Sequence, residues 1–181
     1  RGGDIPGFLP QKYSLFHKRT YFITKIYWKY AKFITFNVQD AYNLTKKLAD
    51  RLNRNIHIIP NGVDCDFFAP DFEKKYDVIN ILYSGRLTEQ KNVDLLIKAV
   101  KLVKNKLGGI ATPFEVKIAG EGNLRKSLEA SVSGLGLETY VKFYGWLDKE
   151  RLRSLYQSSH MFILPSLYEG MSNSLLEAMA C

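Results

Sequence analysis

Four times in its second half the chain repeats one pattern: a short apolar run, a glycine-bearing or polar loop, then apolar residues at helical spacing. The first run is Val78–Ser84, with a loop over Gly85–Asn92. The helix that follows, Val93–Leu107, turns Val93, Leu96, Ile97, Val100, Val103 and Leu107 inward and Lys98, Lys101 and Lys104 outward. Phe114–Ala119, Gly120-Glu121-Gly122 and Leu124–Ser133 form the second unit. Val141–Tyr144 and Gly145-Trp146-Leu147 lead into a helix over Lys149–Ser158, which Asp148 can cap. The last run, Met161–Leu164, is broken by Pro165 and Ser166. Gly170 then allows a tight path into a helix bearing Leu175, Leu176, Ala178 and Met179, with Ser172 or Asn173 as its cap. Strands and helices alternating at this spacing predict an α/β fold, a doubly wound parallel sheet with right-handed crossovers over 78–181.

Upstream the pattern is less regular. Residues 1–12 are rich in glycine and proline and read as loop. Phe33–Phe36 is a short strand candidate, and Val38–Asn53 a helix with Ala41, Leu44, Leu48, Ala49 and Leu52 on one stripe. Ile56–Ile59 is a further strand, with His57 facing outward, ended by Pro60-Asn61-Gly62-Val63-Asp64. Residues 66–77 are polar, contain Pro70 and show no period, as a linker does. The expected organisation is the end of one domain over 1–65, a linker over 66–77 and a second domain over 78–181. Arg1-Gly2-Gly3-Asp4 begins in a turn and Cys181 falls within an apolar helix, so the chain reads as a piece of a longer protein.

Composition alters this picture in one respect. Residues 1–54 carry 11 Lys/Arg against 3 Asp/Glu, and so the whole formal charge of +8. Nine aromatics lie between Tyr13 and Phe36, interleaved with Lys18, Arg19, Lys25, Lys29 and Lys32. Phe22, Ile26, Tyr30 and Phe33 have helical spacing. A basic aromatic helix of this kind either packs with snorkelling lysines, lies on an anionic membrane surface through residues 13–36, or lines a nucleic-acid groove. Of these partners we expect the membrane and no nucleic acid. No apolar run approaches the roughly 18 residues of a span. Cys65 and Cys181 suggest neither a disulfide framework nor a zinc site, and a reducing cytoplasm suits them. His17, His57 and His160 lack ligand spacing, so no metal is expected.

In a doubly wound sheet all four loops gather at the carboxyl edge, where ligands bind. Gly85 lets backbone approach a ligand there. Arg86 and Lys91 either bind a diphosphate beside a helix N-terminus or are simply solvated. Gly120-Glu121-Gly122 is either a phosphate turn or only a tight turn. Glu169 and Glu177 either complement a helix dipole or accept from vicinal sugar hydroxyls, Glu177 sharing a helical face with Asn173.

Taken together, four segments in order carry a family resemblance. Glu169-Gly170-Met171-Ser172-Asn173-Ser174-Leu175-Leu176-Glu177-Ala178-Met179-Ala180 resembles the E-x7-E motif of retaining glycosyltransferases of the GT-B fold, family 4, or glycosyl transferases group 1. Gly85-Arg86-Leu87…Gln90-Lys91-Asn92, Ile59-Pro60-Asn61-Gly62-Val63-Asp64 and Ile118-Ala119-Gly120-Glu121-Gly122 are similar to three further segments of that family.

The resemblance implies an incomplete GT-B-like fold: a Rossmann-like donor domain after the tail of an acceptor domain. It implies sugar transfer from a nucleotide sugar, UDP favoured over GDP, to a saccharide or lipid-linked acceptor in polysaccharide or lipopolysaccharide synthesis. No cofactor or metal is required. Arg86 and Lys91 would neutralise the diphosphate, and Glu169 would hold the transferred sugar. Gly85, Gly120, Gly122, Gly170, Met171 and Ser172 would line the donor, Asn173 beside them. Glu177 would take the ribose, and Gly145, Trp146 and Leu147 would face the base. The expected location is the cytoplasm, or the inner face of the plasma membrane. Family members place a His-Gly pair in the first domain, whereas Arg1 precedes the first glycine pair here. These 181 residues alone are expected to turn over poorly. The alternative is a non-catalytic nucleotide-sugar- or partner-binding subunit of the same fold.

Overall fold

Contacts along the chain divide it between Gly62 and Val63 into two units. The structure, a computed structural model, describes residues 22–23, 25–51, 55–73, 78–106 and 113–181. Expectations for Tyr13, Phe16, Tyr21, Leu52, Leu107 and residues 74–77 lie outside the described residues, as do those for the side chains of Leu44, Leu48 and Ala49.

In the first unit a helical segment, α1 (25–30), precedes β1 (Ile34–Phe36), α2 (Gln39–Arg51) and β2 (Ile56–Ile58). The two strands pair in parallel, Ile34 opposite Ile56 and Phe36 opposite Ile58. Ile34 and Ala41 are buried. Thr45, which apolar spacing does not select, is buried beside them. Its hydroxyl donates to the Ala41 carbonyl at 2.7 Å, which removes the cost of burying it. His57 is exposed as its alternation implies, its ring 5.9 Å from that of Phe33. Phe22, Ile26, Tyr30 and Phe33, which share helical spacing, are all exposed within this unit.

The second unit is a four-stranded parallel sheet made of β3 (Ile79–Ser84), β4 (Phe114–Ala119), β5 (Val141–Gly145) and β6 (Met161–Phe162), in the order β5-β4-β3-β6. β3 and β4 pair without a shift from Ile79–Phe114 to Ser84–Ala119. Alternation along β3 sends Ile81 and Tyr83 to one face and Leu82 to the other. On the first face α3 (Val93–Lys106) and α4 (Arg125–Gly134) bury Val93, Leu96, Ile97, Val100, Leu128 and Val132. On the second, α5 (Lys149–Gln157) and α6 (Asn173–Ala180) pack over Leu82 and Ala119. The strand order reverses between β3 and β6, so the crevice of a doubly wound sheet opens outside their carboxyl ends.

Several expectations shift on contact with the structure. Phe67 and Phe68, read as part of a linker, belong to the second unit's core; Phe68 is buried, with its ring 6.0 Å from that of Tyr156. Two adjacent aromatics are enough to anchor a segment whose neighbours are polar. Val103, expected inside, is 42% exposed and lines an apolar groove with Ile79, Phe114 and Ile163. β6 stops at Phe162 rather than Leu164, although the Ile163 amide still donates to the Leu82 carbonyl at 2.9 Å. Asp148 caps α5 as expected, accepting from the Arg151 amide at 2.8 Å.

The loops after β3, β4 and β5 meet backbone to backbone. The Gly85 amide donates to the Ala119 carbonyl and the Gly120 amide to the Gly145 carbonyl, at 3.0 and 2.7 Å. A Cβ on Gly120, whose φ is +132°, would stand 2.0 Å from the Gly85 carbonyl oxygen, and one on Gly122 would stand 2.2 Å from that of Leu87. Gly120→Ala is therefore expected to cost at least about 2 kcal/mol in the full-length protein. Gly134→Ala, at the end of α4 with nothing within 4 Å, should stay within about 1 kcal/mol and tend to stabilise. Urea unfolding of both variants checks the contrast, and equal effects would contradict it.

Candidate functional site

At the crevice the loop after β3 is stitched to the loop after β6. The Leu167 amide donates to the Gln90 carbonyl at 2.9 Å, and the Gln90 side chain donates back to the Tyr168 carbonyl at 3.1 Å. Asn92, at φ +51°, donates through its side-chain Nδ2 to the Pro165 carbonyl at 3.3 Å. A left-handed turn is affordable for Asn, and it closes the 3-10 turn Glu89–Lys91 before α3 begins.

This stitching brings Lys91 Nζ onto Glu169 Oε1, two side chains 78 residues apart. Their exposure is only 11% and 22%. A pair so far withdrawn from water holds each partner in place, because losing either strands the other in a poorly solvated site. Arg86, on the same loop, is exposed, and its carbonyl accepts from the Tyr83 phenol at 2.8 Å. Burial first, and then the negative charge of Glu169, push the Tyr83 phenol far above its ordinary range, against a smaller opposing pull from Arg86. Tyr83 thus remains a donor that fixes the Arg86 turn. Two further hydroxyls at these loops, Thr88 Oγ1 and Ser166 Oγ, are buried without a protein partner among the described residues.

The other expected residues divide by role. Gly85, Gly120 and Gly122 are brought together by the loop packing above, so the second loop supports the first from behind. A Cβ on Gly145, at φ +69°, would lie 3.0 Å from both the Glu121 carboxylate and the Arg125 guanidinium, which are themselves ion-paired. Trp146 is 76% exposed and Leu147 packs into the core. Ser172 occupies the N-cap position of α6, but the expected side-chain cap does not form. Its hydroxyl lies 2.9 Å from that of Ser174 instead. Gly170 and Asn173 are exposed, and Met171 is half-buried. Glu177 is half-buried, and its Oε2 accepts from the Tyr156 phenol at 3.0 Å.

Tyr83 and Tyr156 are the residues that sequence reasoning missed. Both sit on apolar stripes and read as core. The available signal was the phenol itself, since a buried tyrosine hydroxyl needs a partner. Among the described residues no three His, Cys, Asp or Glu converge as a metal site would require.

Residues 66–181 match the family described as glycosyl transferases group 1, and the chain belongs to that family. It is 34% identical over 135 residues to EpsF of Bacillus subtilis (strain 168), named as a glycosyltransferase, covering 69% of this chain and 34% of that protein. It is 32% identical over 136 residues to the Escherichia coli UDP-Gal:alpha-D-GlcNAc-diphosphoundecaprenol alpha-1,3-galactosyltransferase, covering 68% of this chain and 34% of that one. The chain thus spans about a third of the length of these curated relatives. Among solved structures, Anabaena Alr3699/HepE in complex with UDP and glucose superposes with a TM-score of 0.76 at 18% identity, over 99% of this chain and 49% of that one. The fold is that of the GT-B glycosyltransferases, of which this chain forms about half.

The Lys91–Glu169 contact has a direct check. In a double-mutant cycle of Lys91→Met and Glu169→Gln, the two side chains should couple by about 1–2 kcal/mol in unfolding free energy, a value discounted for their residual exposure. Additive single effects would show that the pair does not hold the two loops together.

Proposed function

We propose that the full-length protein is a retaining, metal-independent glycosyltransferase. It moves a sugar from a nucleotide sugar, UDP-linked in preference to GDP-linked, to a saccharide or lipid-linked acceptor in cell-surface polysaccharide or lipopolysaccharide synthesis. The observation that carries this reading is the meeting of Lys91 and Glu169 at the reversal point of the sheet. A cation for a leaving diphosphate and a carboxylate for sugar hydroxyls then stand side by side, as a donor needs where its phosphate and sugar join.

Arg86 and Lys91 take the diphosphate. They stabilise the charge that develops as the glycosidic bond breaks, by preorganised electrostatics in place of a metal. Gly170 to Ser172 offer backbone N–H groups to the phosphates and sugar, while Gly85, its own amide bonded to Ala119, lets the ligand approach the backbone closely. Glu169 accepts from hydroxyls of the transferred sugar and Glu177 from the ribose, and the exposed Trp146 lies along the base on a loop that Gly145 turns and Leu147 anchors to the core. The acceptor hydroxyl attacks the oxocarbenium-like carbon from the face the diphosphate leaves, so the anomeric configuration is retained. The uridine diphosphate and lipid diphosphate in the name of the Escherichia coli relative support the choice of donor and acceptor classes.

A cytoplasmic protein held peripherally at an anionic membrane fits such an acceptor. In support, Phe22, Ile23, Ile26, Tyr27, Tyr30 and Phe33 are exposed together with Lys25, Lys29 and Lys32. No helix among the described residues is long and apolar enough to cross a membrane.

A thermal-shift screen of the full-length protein against nucleotide sugars should show stabilisation by a UDP-sugar. With that donor, Lys91→Ala and Glu169→Ala should each lower turnover at least about a hundredfold. Turnover should survive EDTA, and NMR of the product should show the donor's anomeric configuration. Transfer that survives both substitutions would favour the non-catalytic reading. Sedimentation with phosphatidylglycerol vesicles but not phosphatidylcholine vesicles, weakening with salt, checks the membrane contact.

A further inference from the structure

The bond between Tyr156 and Glu177 is part of a longer arrangement. Tyr156, on α5, is 5% exposed, with its ring held between those of Phe68 at 6.0 Å and Phe162 at 5.8 Å. A carboxylate only accepts, so the phenol donates its proton to Glu177 Oε2. The bond therefore points one way, from the phenol on α5 to the carboxylate on α6. Ser84, the buried last residue of β3 and the neighbour of Gly85, lies beside the same phenol. Burial of Tyr156, reinforced by the Glu177 charge, raises the phenol far above its ordinary range, so it stays a donor throughout the working pH range.

A glutamate on a short helix has three rotatable bonds and in water visits many rotamers. A phenol clamped between aromatic rings removes that freedom before any ligand arrives. We propose that Tyr156 is the positioning residue that presents Glu177 to the vicinal hydroxyls of a nucleoside diphosphate's ribose. It occupies Oε2 and leaves Oε1 to accept from the ligand. This inference rests on the reading of Glu177 as the ribose-binding carboxylate given above.

The test isolates the ribose hydroxyls. Calorimetric affinities of the full-length protein for UDP and for 2′,3′-dideoxy-UDP give a preference ratio, measured in the wild type, Glu177→Gln, Tyr156→Phe and Tyr156→Met; the guanine pair is used if GDP is the stabilising nucleotide. Glu177→Gln should abolish the preference. Tyr156→Phe should lower it about tenfold through weaker UDP binding, with dideoxy binding unchanged, a loss of about 1.4 kcal/mol. With the sugar donor the same variant should raise KM and leave kcat close to wild type. Tyr156→Met, which removes the same hydroxyl from an apolar side chain, should lower the preference likewise, and it carries the test if Tyr156→Phe fails to fold. A wild-type preference in Tyr156→Phe, or in Tyr156→Met in its place, with the preference lost in Glu177→Gln, would overturn the positioning role alone. A wild-type preference in Glu177→Gln would overturn the ribose reading beneath it. Equal losses for UDP and dideoxy-UDP in Tyr156→Phe would mark a merely structural tyrosine.

Discussion

The architecture of the second unit depends on how closely three loops can approach one another. Gly85 and Gly120 follow β3 and β4 and Gly145 ends β5, and their backbones touch where side chains would ordinarily keep them apart. A register shift between Ile118 and Ala119 sets Gly145 opposite Ala119, so the third loop reaches the second at the right height. This stack braces the turn that carries Arg86 from below, while Tyr83 holds it from inside the core. The cleft is built on hydrogen-bonded backbone, which deforms less than side chains do.

Much of this was legible because buried parallel strands are written as continuous apolar runs. Phe114–Ala119 and the Asp148 cap emerge directly from pattern and offset. The placement of Glu169, Glu177, Arg86 and Lys91 at one sheet edge followed from topology alone. What stayed hidden was tertiary. Apolar periodicity counts Tyr83 and Tyr156 as core and cannot say that their hydroxyls hold a carbonyl and a carboxylate. Phe67-Phe68 is too short to have a period, so an anchor read as linker. At Ser172, three neighbouring polar residues compete for one cap, and the contact with Ser174 displaces the expected one. The exposed stripe on α1 reflects a limit of another kind, since spacing identifies an apolar face but not what covers it.

Electrostatically the cleft is self-balanced. Lys91 and Glu169 neutralise each other in a site mostly withdrawn from water. On the function proposed above, a dianionic ligand would meet a lysine already fixed in place and a carboxylate able to turn to hydroxyl donors, which is where preorganised sites derive their advantage.

The separation of 78 positions between Lys91 and Glu169 also bears on how the protein is made. β3 can pair with β4 early, but the cleft is incomplete until β6, the shortest strand, docks on the other side of β3. Contacts this distant in sequence form late and are the first exposed to loop-closure cost. A ligand that bridges both loops would then act as a clasp on the last-joined strand, and its binding would report that the sheet has been assembled.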